Sequence, residues 1–336
     1  MNFGVLGAGT WGVALAALLC KNGHSVTVWS AIPEEIDLLK ETNRHKNLPG
    51  VALPTQIEYT KDIAEAARDK EIILFVVPSS FIRSTTALIA PYIEDGSILV
   101  TAAKGIEKGS LMTMTEIIAD ELFSARPSLK YSLAALSGPT HAEEVAVGIP
   151  TSIVSACEDE VVSQIIAEAF ANSCMRAYTN TDVKGVEICG AMKNVIALAA
   201  GINNGMGLGD NSKAMLMTRG IAEITRLGLA MGCKRRTFMG LAGIGDLIVT
   251  CTSRHSRNNR CGELIGMGKS YDEAAKEIGM VVEGYHALEA CMELSGKYAV
   301  ELPITEAVYK IIKEGLAPND AMHALMTRDL KSELDD

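Results

Sequence analysis

The sequence predicts an α/β fold in which a doubly wound, mostly parallel sheet is followed by an all-α C-terminal domain. Three observations carry this prediction. Short apolar runs alternate with helix-like stretches across the first half of the chain, and a glycine-rich turn joins the first run to the first helix. After about residue 181 the strand-like runs stop, and helix-like stretches punctuated by Gly and Pro continue towards the end. With 336 residues, 48% of them hydrophobic, the chain can bury two cores. The expected division is 1–181 and 182–336.

Taken in order, strands are expected at 2–6, 25–30, 71–77, 97–101, 131–136 and 151–156, with helices between most of them, for example 109–123 and 159–172. Short buried strands separated by helices imply parallel pairing, because each crossover helix covers a face of the sheet. Ligands on such a sheet bind at the carboxyl ends of the strands. The second half reads as helices at 182–202, 212–228, 258–266, 271–277, 285–294, 305–314 and 318–326. The acidic tail 331–336 is expected to fray. The apolar run 195–202 is too short to cross a membrane and directly follows Lys193 and Asn194.

The glycine-rich turn is Gly7-Ala8-Gly9-Thr10-Trp11-Gly12, set between Phe3-Gly4-Val5-Leu6 and the helical run Val13-Ala14-Leu15-Ala16-Ala17-Leu18-Leu19. Strand, tight turn and helix are the context that gives this pattern meaning. Gly7 allows the turn, Gly9 lets the backbone approach a pyrophosphate, and Gly12 lets helix and strand pack closely. The phosphates would sit at the helix N-terminus. The first domain therefore reads as a Rossmann-type dinucleotide site. A NAD-specific site places an acid at the end of the second strand. Here that end is Val28-Trp29-Ser30-Ala31, and Glu34 and Glu35 follow in the next helix. No Arg follows Ser30 either. Arg44, His45 and Lys46 would supply positive charge if their loop folds back, and otherwise form an ordinary solvated loop. The expectation leans to NADPH, with NADH the alternative.

A formal net charge of −10 argues against nucleic acid or an anionic membrane as partner, though not against a small anion met by local basic residues. Eight cysteines, at 20, 157, 174, 189, 233, 251, 261 and 291, show no CxxC spacing, which suits a reduced, cytoplasmic chain without a metal scaffold. The first residues read directly as strand, so no signal peptide is expected. A homodimer is compatible with the sequence, and nothing in it fixes the oligomeric state.

Several residues can carry chemistry. Lys104, after the run 97–101, can hold a phosphate or a substrate oxygen, or lie on a surface loop. Ser137-Gly138-Pro139-Thr140-His141 has turn chemistry before a helix; Thr140 can bind a substrate hydroxyl, or serve as an N-cap with Glu143 completing a capping box. Lys193-Asn194 is the sharpest signal. Gly190, Lys193, Asn194, Ala197 and Gly201 share one helix face, suited to close approach of a backbone or ligand. A lysine there is costly unless paired, and a desolvated amine can act as acid or base; the alternative is a snorkelling side chain. Asp246, in Gly243-Ile244-Gly245-Asp246-Leu247, can pair with Lys193, accept a substrate hydroxyl, or cap the helix 247–251. Ser256, Arg257 and Asn258 lie in a basic stretch, 253–260, of an acidic chain and together offer the donors a phosphate monoester requires; a solvated loop is the alternative.

With these residues in place, the chain closely resembles the bacterial soluble NAD(P)-dependent glycerol-3-phosphate dehydrogenases over nearly its whole length. The resemblance lies in the glycine turn, Ala103-Lys104-Gly105-Ile106-Glu107, Leu136-Ser137-Gly138-Pro139-Thr140, 185–194 with Lys193-Asn194, 240–247 with Asp246, and Ser256-Arg257-Asn258, in this order. It implies that Lys193 is the catalytic proton carrier. It implies that Lys104, Gly138, Thr140, Asn194, Asp246, Ser256, Arg257 and Asn258 hold the substrate. It also implies that Gly7, Gly9, Thr10, Trp11, Gly12, Lys104, Ala142, Arg257, Val282 and Glu283 meet the cofactor. The implied role is supply of glycerol 3-phosphate for glycerophospholipid synthesis. Thr10 stands where relatives often have Ser, and Ser30-Ala31 departs from members with His or Arg after the second strand. A sister enzyme, such as a 2-dehydropantoate reductase or β-hydroxyacid dehydrogenase, would share the two-domain plan. A non-enzymatic NAD(P)H sensor would have no need of Lys193, Lys104 and Arg257 together.

Overall fold

In the computed structural model, the strands Asn2–Leu6 (β1), Ser25–Trp29 (β2), Glu58–Thr60 (β3), Ile72–Phe75 (β4), Ser97–Thr101 (β5), Tyr131–Ser137 (β6), Thr151–Cys157 (β7) and Met175–Asn180 (β8) form one sheet. Their order is β3-β2-β1-β4-β5-β6-β7-β8. Every neighbouring pair is parallel except β6–β7. The structure describes residues 1–330, 332 and 333. Of the tail expected to fray, residues 331 and 334–336 lie outside the described residues.

The central strands are apolar on both faces because helices cover both; all four residues of β4 are buried. Leu6 stands opposite both Trp29 and Phe75, so the tips of β2, β1 and β4 are level. The order reverses at β1, with β2 and β3 on one side and β4 onward on the other. Such a reversal opens the crevice in which doubly wound sheets bind nucleotides. The helix Thr10–Lys21 leaves β1 there and buries Gly12 through Leu19. β3 and β8, the two edges of the sheet, were not expected from the sequence.

Two compact units divide the chain. The first comprises Met1–Lys104 and Met112–Val183; the second comprises Gly105–Leu111 and the chain from Lys184 onward. The boundary thus falls at 183/184, two residues beyond the expected position. The short segment Gly105–Leu111 belongs with the helical unit: Ile106 lies in its core, and Lys108 Nζ pairs with Glu289 at 2.5 Å. This segment also explains why the helix expected from 109 starts at Met114. Thr113 and Glu116 form a capping box there, with the Thr113 N–H donating to Glu116 Oε2 at 2.9 Å.

The second unit is built from Val183–Gly205, Asp210–Ala230, Arg257–Gly266, Tyr271–Ile278, Glu283–Tyr298, Pro303–Glu314 and Pro318–Met326, with the shorter helices Arg235–Phe238 and Asp246–Thr252. Val183–Gly205, at 23 residues, is longer than the apolar run suggested, and is long and apolar enough to cross a membrane. Its most apolar stretch is wholly buried in protein, however, which makes it the core helix of the unit. The small-residue face expected on it receives another backbone. A Cβ on Gly201 would lie 2.0 Å from the Asn259 carbonyl oxygen, and one on Gly262 would lie 2.2 Å from that of Leu198.

Glu223 closes the start of Pro303–Glu314. Its carboxylate accepts from the Ile304 N–H at 2.5 Å, the Thr305 N–H at 3.2 Å and Thr305 Oγ1 at 3.1 Å. Burial outweighs these bonds and pushes its pKa up from 4.5 to about 7. The folded state therefore holds the proton more tightly than the unfolded chain. The stability this adds is complete below the unfolded pKa and is lost as pH rises towards the folded one, a change of about 3 kcal/mol. Urea denaturation between pH 4.5 and 7.5 should show the wild type losing stability relative to Glu223→Gln by that order. A pH-independent difference between the two would contradict this linkage.

Candidate active site

The glycine turn has the build of a phosphate cradle. Gly7 adopts φ +124°, a conformation that L side chains rarely reach. Its N–H donates to the Trp29 carbonyl at 2.8 Å, fixing the turn to the tip of β2. A Cβ on Gly12 would lie 1.9 Å from the Gly7 carbonyl oxygen, so the helix starts as close to the turn as two backbones permit. Around Gly9, by contrast, there is nothing within 4 Å of where a Cβ would sit. The helix Thr10–Lys21 has no side-chain cap and no acid in its first turn, so its leading N–H groups face that open side. A pyrophosphate is the group that such a helix start accommodates. Thr10 and Trp11 are half-buried beside it, and Asn47 Nδ2 donates to Thr10 Oγ1 at 3.2 Å. The loop carrying Arg44, His45 and Lys46 therefore does fold back on the turn.

At the tip of β2 the structure corrects the sequence expectation. Ser30 is buried, its hydroxyl donates to Glu35 Oε2 at 2.8 Å, and it accepts from the Ile32 N–H at 3.1 Å. A carboxylate is thus present at the strand end, supplied from five residues further along the chain. His45 is the inward-turned member of its loop, and burial pushes its imidazole pKa down against the opposing pull of Glu35.

Lys104, Gly138 and Thr140 come together beyond the tips of β5 and β6. Lys104 Nζ donates to the Gly138 carbonyl at 3.3 Å, and Thr140 Oγ1 donates to the same oxygen at 3.2 Å. Thr140 is not the N-cap. The following helix, Ala142–Ala146, begins after His141, with Ala142 buried.

In the helical unit, Lys193 Nζ lies 2.5 Å from Asp246 Oδ1 and donates to Thr250 Oγ1 at 2.7 Å. The two charged side chains are 8% and 1% exposed, so the lysine does not snorkel. A π-helical turn, Leu241–Gly245, delivers Asp246 as the first residue of Asp246–Thr252 rather than as its cap. Thr250 stands one helical turn on, on the same face, and donates to the Asp246 carbonyl at 2.6 Å. Sequence reasoning passed over Thr250; its spacing of four from Asp246 was the available signal. Cys251 is buried beside the pair, and its thiol is pushed up to about 12, which leaves it inert as a nucleophile.

A second polar link joins three helices. Asn258 Nδ2 donates to Asn194 Oδ1 at 3.0 Å, and Asn258 Oδ1 accepts from the Gly284 N–H at 2.9 Å. Val282 caps the helix that Glu283 begins, which places both beside this link. Ser256 caps Arg257–Gly266, accepting from the Asn259 N–H at 3.2 Å. Arg257 differs from both neighbours. It is half-buried at a helix start with no acid in the first turn, and it has neither ion pair nor hydrogen bond among the described residues. A cation there opposes the helix dipole unless an anion joins it.

Sheet order, the glycine turn at its reversal and the predominantly helical second unit define the class of Rossmann-type, nucleotide-dependent dehydrogenases. Comparison with known proteins narrows this. The description NAD-dependent glycerol-3-phosphate dehydrogenase N-terminus matches residues 2–163, and the C-terminus of the same family matches 182–323. The chain belongs to the NAD-dependent glycerol-3-phosphate dehydrogenase family. It is 57% identical over 333 residues to glycerol-3-phosphate dehydrogenase [NAD(P)+] 2 of Lactobacillus delbrueckii subsp. bulgaricus, covering 99% of each chain. It is 47% identical to the glycerol-3-phosphate dehydrogenase [NAD(P)+] of Agathobacter rectalis, covering 98% of this chain and 97% of that one. The crystal structure of glycerol-3-phosphate dehydrogenase from Coxiella burnetii superposes with a TM-score of 0.92 at 35% identity, covering 97% of this chain and 99% of that one.

Proposed function

We propose that this protein interconverts dihydroxyacetone phosphate and sn-glycerol 3-phosphate with NAD(H) or NADP(H), supplying glycerol 3-phosphate for glycerophospholipid synthesis in the cytoplasm. The observation that carries the reading is the buried Lys193, held by Asp246 and Thr250. When bound, a nicotinamide cofactor would supply the hydride gained by C2 of the ketone, or accept the one lost by C2 of the alcohol. In the reducing direction Lys193, as ammonium, gives its proton to the oxygen at C2, so that carbonyl, hydride and proton sum to the alcohol. In the oxidising direction the neutral amine takes that proton. Asp246 and Thr250 aim the amine, and the carboxylate offsets the cost of burying its charge.

Gly7, Gly9, Thr10, Trp11 and Gly12 hold the cofactor's phosphates, with Lys104, Ala142, Arg257, Val282 and Glu283 as further cofactor contacts. Lys104, Gly138, Thr140, Asn194 and Asp246 are assigned to the substrate with Ser256, Arg257 and Asn258. Within the last trio, Arg257 carries the phosphate, while Ser256 and Asn258 fix the helix that presents it. The reading requires a small phosphorylated partner and does not require a homodimer. The eight scattered cysteines, without CxxC spacing, agree with a reducing compartment.

Oxidation of NADH or NADPH on addition of dihydroxyacetone phosphate tests the reading, and absence of turnover with both cofactors refutes it. Arg257→Ala should raise KM for dihydroxyacetone phosphate by about 30-fold or more, the scale of losing a charge-assisted contact to phosphate. Unphosphorylated dihydroxyacetone should be nearly indifferent to the change. Equal weakening of both substrates would remove the phosphate role.

A further inference from the structure

We infer that Glu35 sets the cofactor preference of this chain: held at the carboxyl end of β2 by Ser30, its carboxylate accepts the 2′-hydroxyl of the adenosine ribose and repels a 2′-phosphate, so NADH binds in preference to NADPH. The inference rests on the dehydrogenase reading above and specifies its cofactor. In doubly wound sheets an acid at this strand end distinguishes the two ribose forms, one as a hydrogen-bond partner and the other as a like charge. Here the acid reaches that place by a different route. The Gly7 N–H donates to the Trp29 carbonyl, which levels the glycine turn with the tip of β2, and Ser30 is the next residue. Pro33 opens the helix Pro33–Thr42, and the Glu35 N–H donates to the Ile32 carbonyl at 3.1 Å. This tight entry brings the third helical residue back over the tip, where Ser30 Oγ donates to Glu35 Oε2 at 2.8 Å.

The Ser30 hydroxyl engages one carboxylate oxygen and leaves lone pairs free for a ribose hydroxyl. Glu35 is half-buried, open on one side while fixed on the other. The basic residues of the neighbouring loop do not cancel its charge by contact. Arg44 and Lys46 are exposed, and the inward member, His45, is kept towards its neutral form by burial. The expected lean to NADPH rested on an empty strand end, and that end holds a carboxylate.

Binding without turnover provides the test. Dissociation constants of NADH and NADPH would be measured by nicotinamide fluorescence, and those of ADP-ribose and 2′-phospho-ADP-ribose by competition. The wild type should bind the form lacking the 2′-phosphate at least about tenfold more tightly, and Glu35→Gln should shrink that ratio by about tenfold or more. Glu34→Gln, at the exposed neighbouring position, should leave the ratio in place. Equal or tighter binding of the 2′-phosphorylated ligands by the wild type overturns the inference, as does an unmoved ratio in Glu35→Gln. Failure of the dehydrogenase reading is seen separately, as absence of turnover of dihydroxyacetone phosphate with either cofactor.

Discussion

Replacing Lys193 with methionine should lower kcat by about 10²–10⁴-fold, the usual contribution of a positioned proton donor. Methionine keeps the length and apolar body of the lysine stem, so the helix retains its packing while the ammonium is lost. Lys193 is assigned to proton transfer and not to the cofactor contacts, so the affinity for NADH should change little. Asp246 would be left buried without its partner, a situation that typically costs several kcal/mol unless the carboxyl takes up a proton. A lower melting temperature is therefore expected alongside the catalytic loss. The deciding measurement pairs kcat with the cofactor dissociation constant on folded protein. A near-normal kcat would show that the proton comes from elsewhere.

Gly12→Ala and Gly9→Ala should separate two functions of one turn. A methyl on residue 12 meets the Gly7 carbonyl oxygen at 1.9 Å, and neither backbone can yield without moving the helix start. Overpacking of this kind costs about 1–3 kcal/mol or more. The free protein should melt earlier and its affinity for a dinucleotide should fall by about tenfold or more. Gly9 has open space around it, so the free Gly9→Ala protein should melt as the wild type does. Its methyl would nevertheless stand in the space proposed for the pyrophosphate and weaken binding. Thermal melting with and without NADH distinguishes the cases. A Gly12→Ala protein of normal stability, or a Gly9→Ala protein of normal affinity, would break the assignment of that glycine.

Much of this was legible in the residues. β1 and β5 lie where their apolar runs lie, because strands buried on both faces must be apolar throughout. β3 and β8 were not, because edge strands pair on one side and are covered less. β3 is only Glu58–Thr60, and β8 leaves Arg176, Thr179 and Tyr178 exposed. The Lys193–Asp246 pairing was foreseeable from the cost of burying either charge alone. The distribution of work proposed for Ser256, Arg257 and Asn258 was not: a hydroxyl, a guanidinium and an amide look equally suited to phosphate until the helix cap and the Asn194 link are in view. Glu35 was read as too distant from the end of β2, because chain separation does not register how sharply a proline-initiated helix turns back.

The core helix Val183–Gly205 carries Lys193 on a segment whose most apolar stretch has no face towards water. Its amide protons are shielded by the rest of the unit, and native-state hydrogen exchange along it is expected to be slow. The group proposed to move a proton in every turnover is therefore mounted on a segment buried in the core of that unit. The stem of the lysine is thus fixed by the packing of the whole unit, while the aim of its amine is set by Asp246 and Thr250 on the short helix Asp246–Thr252.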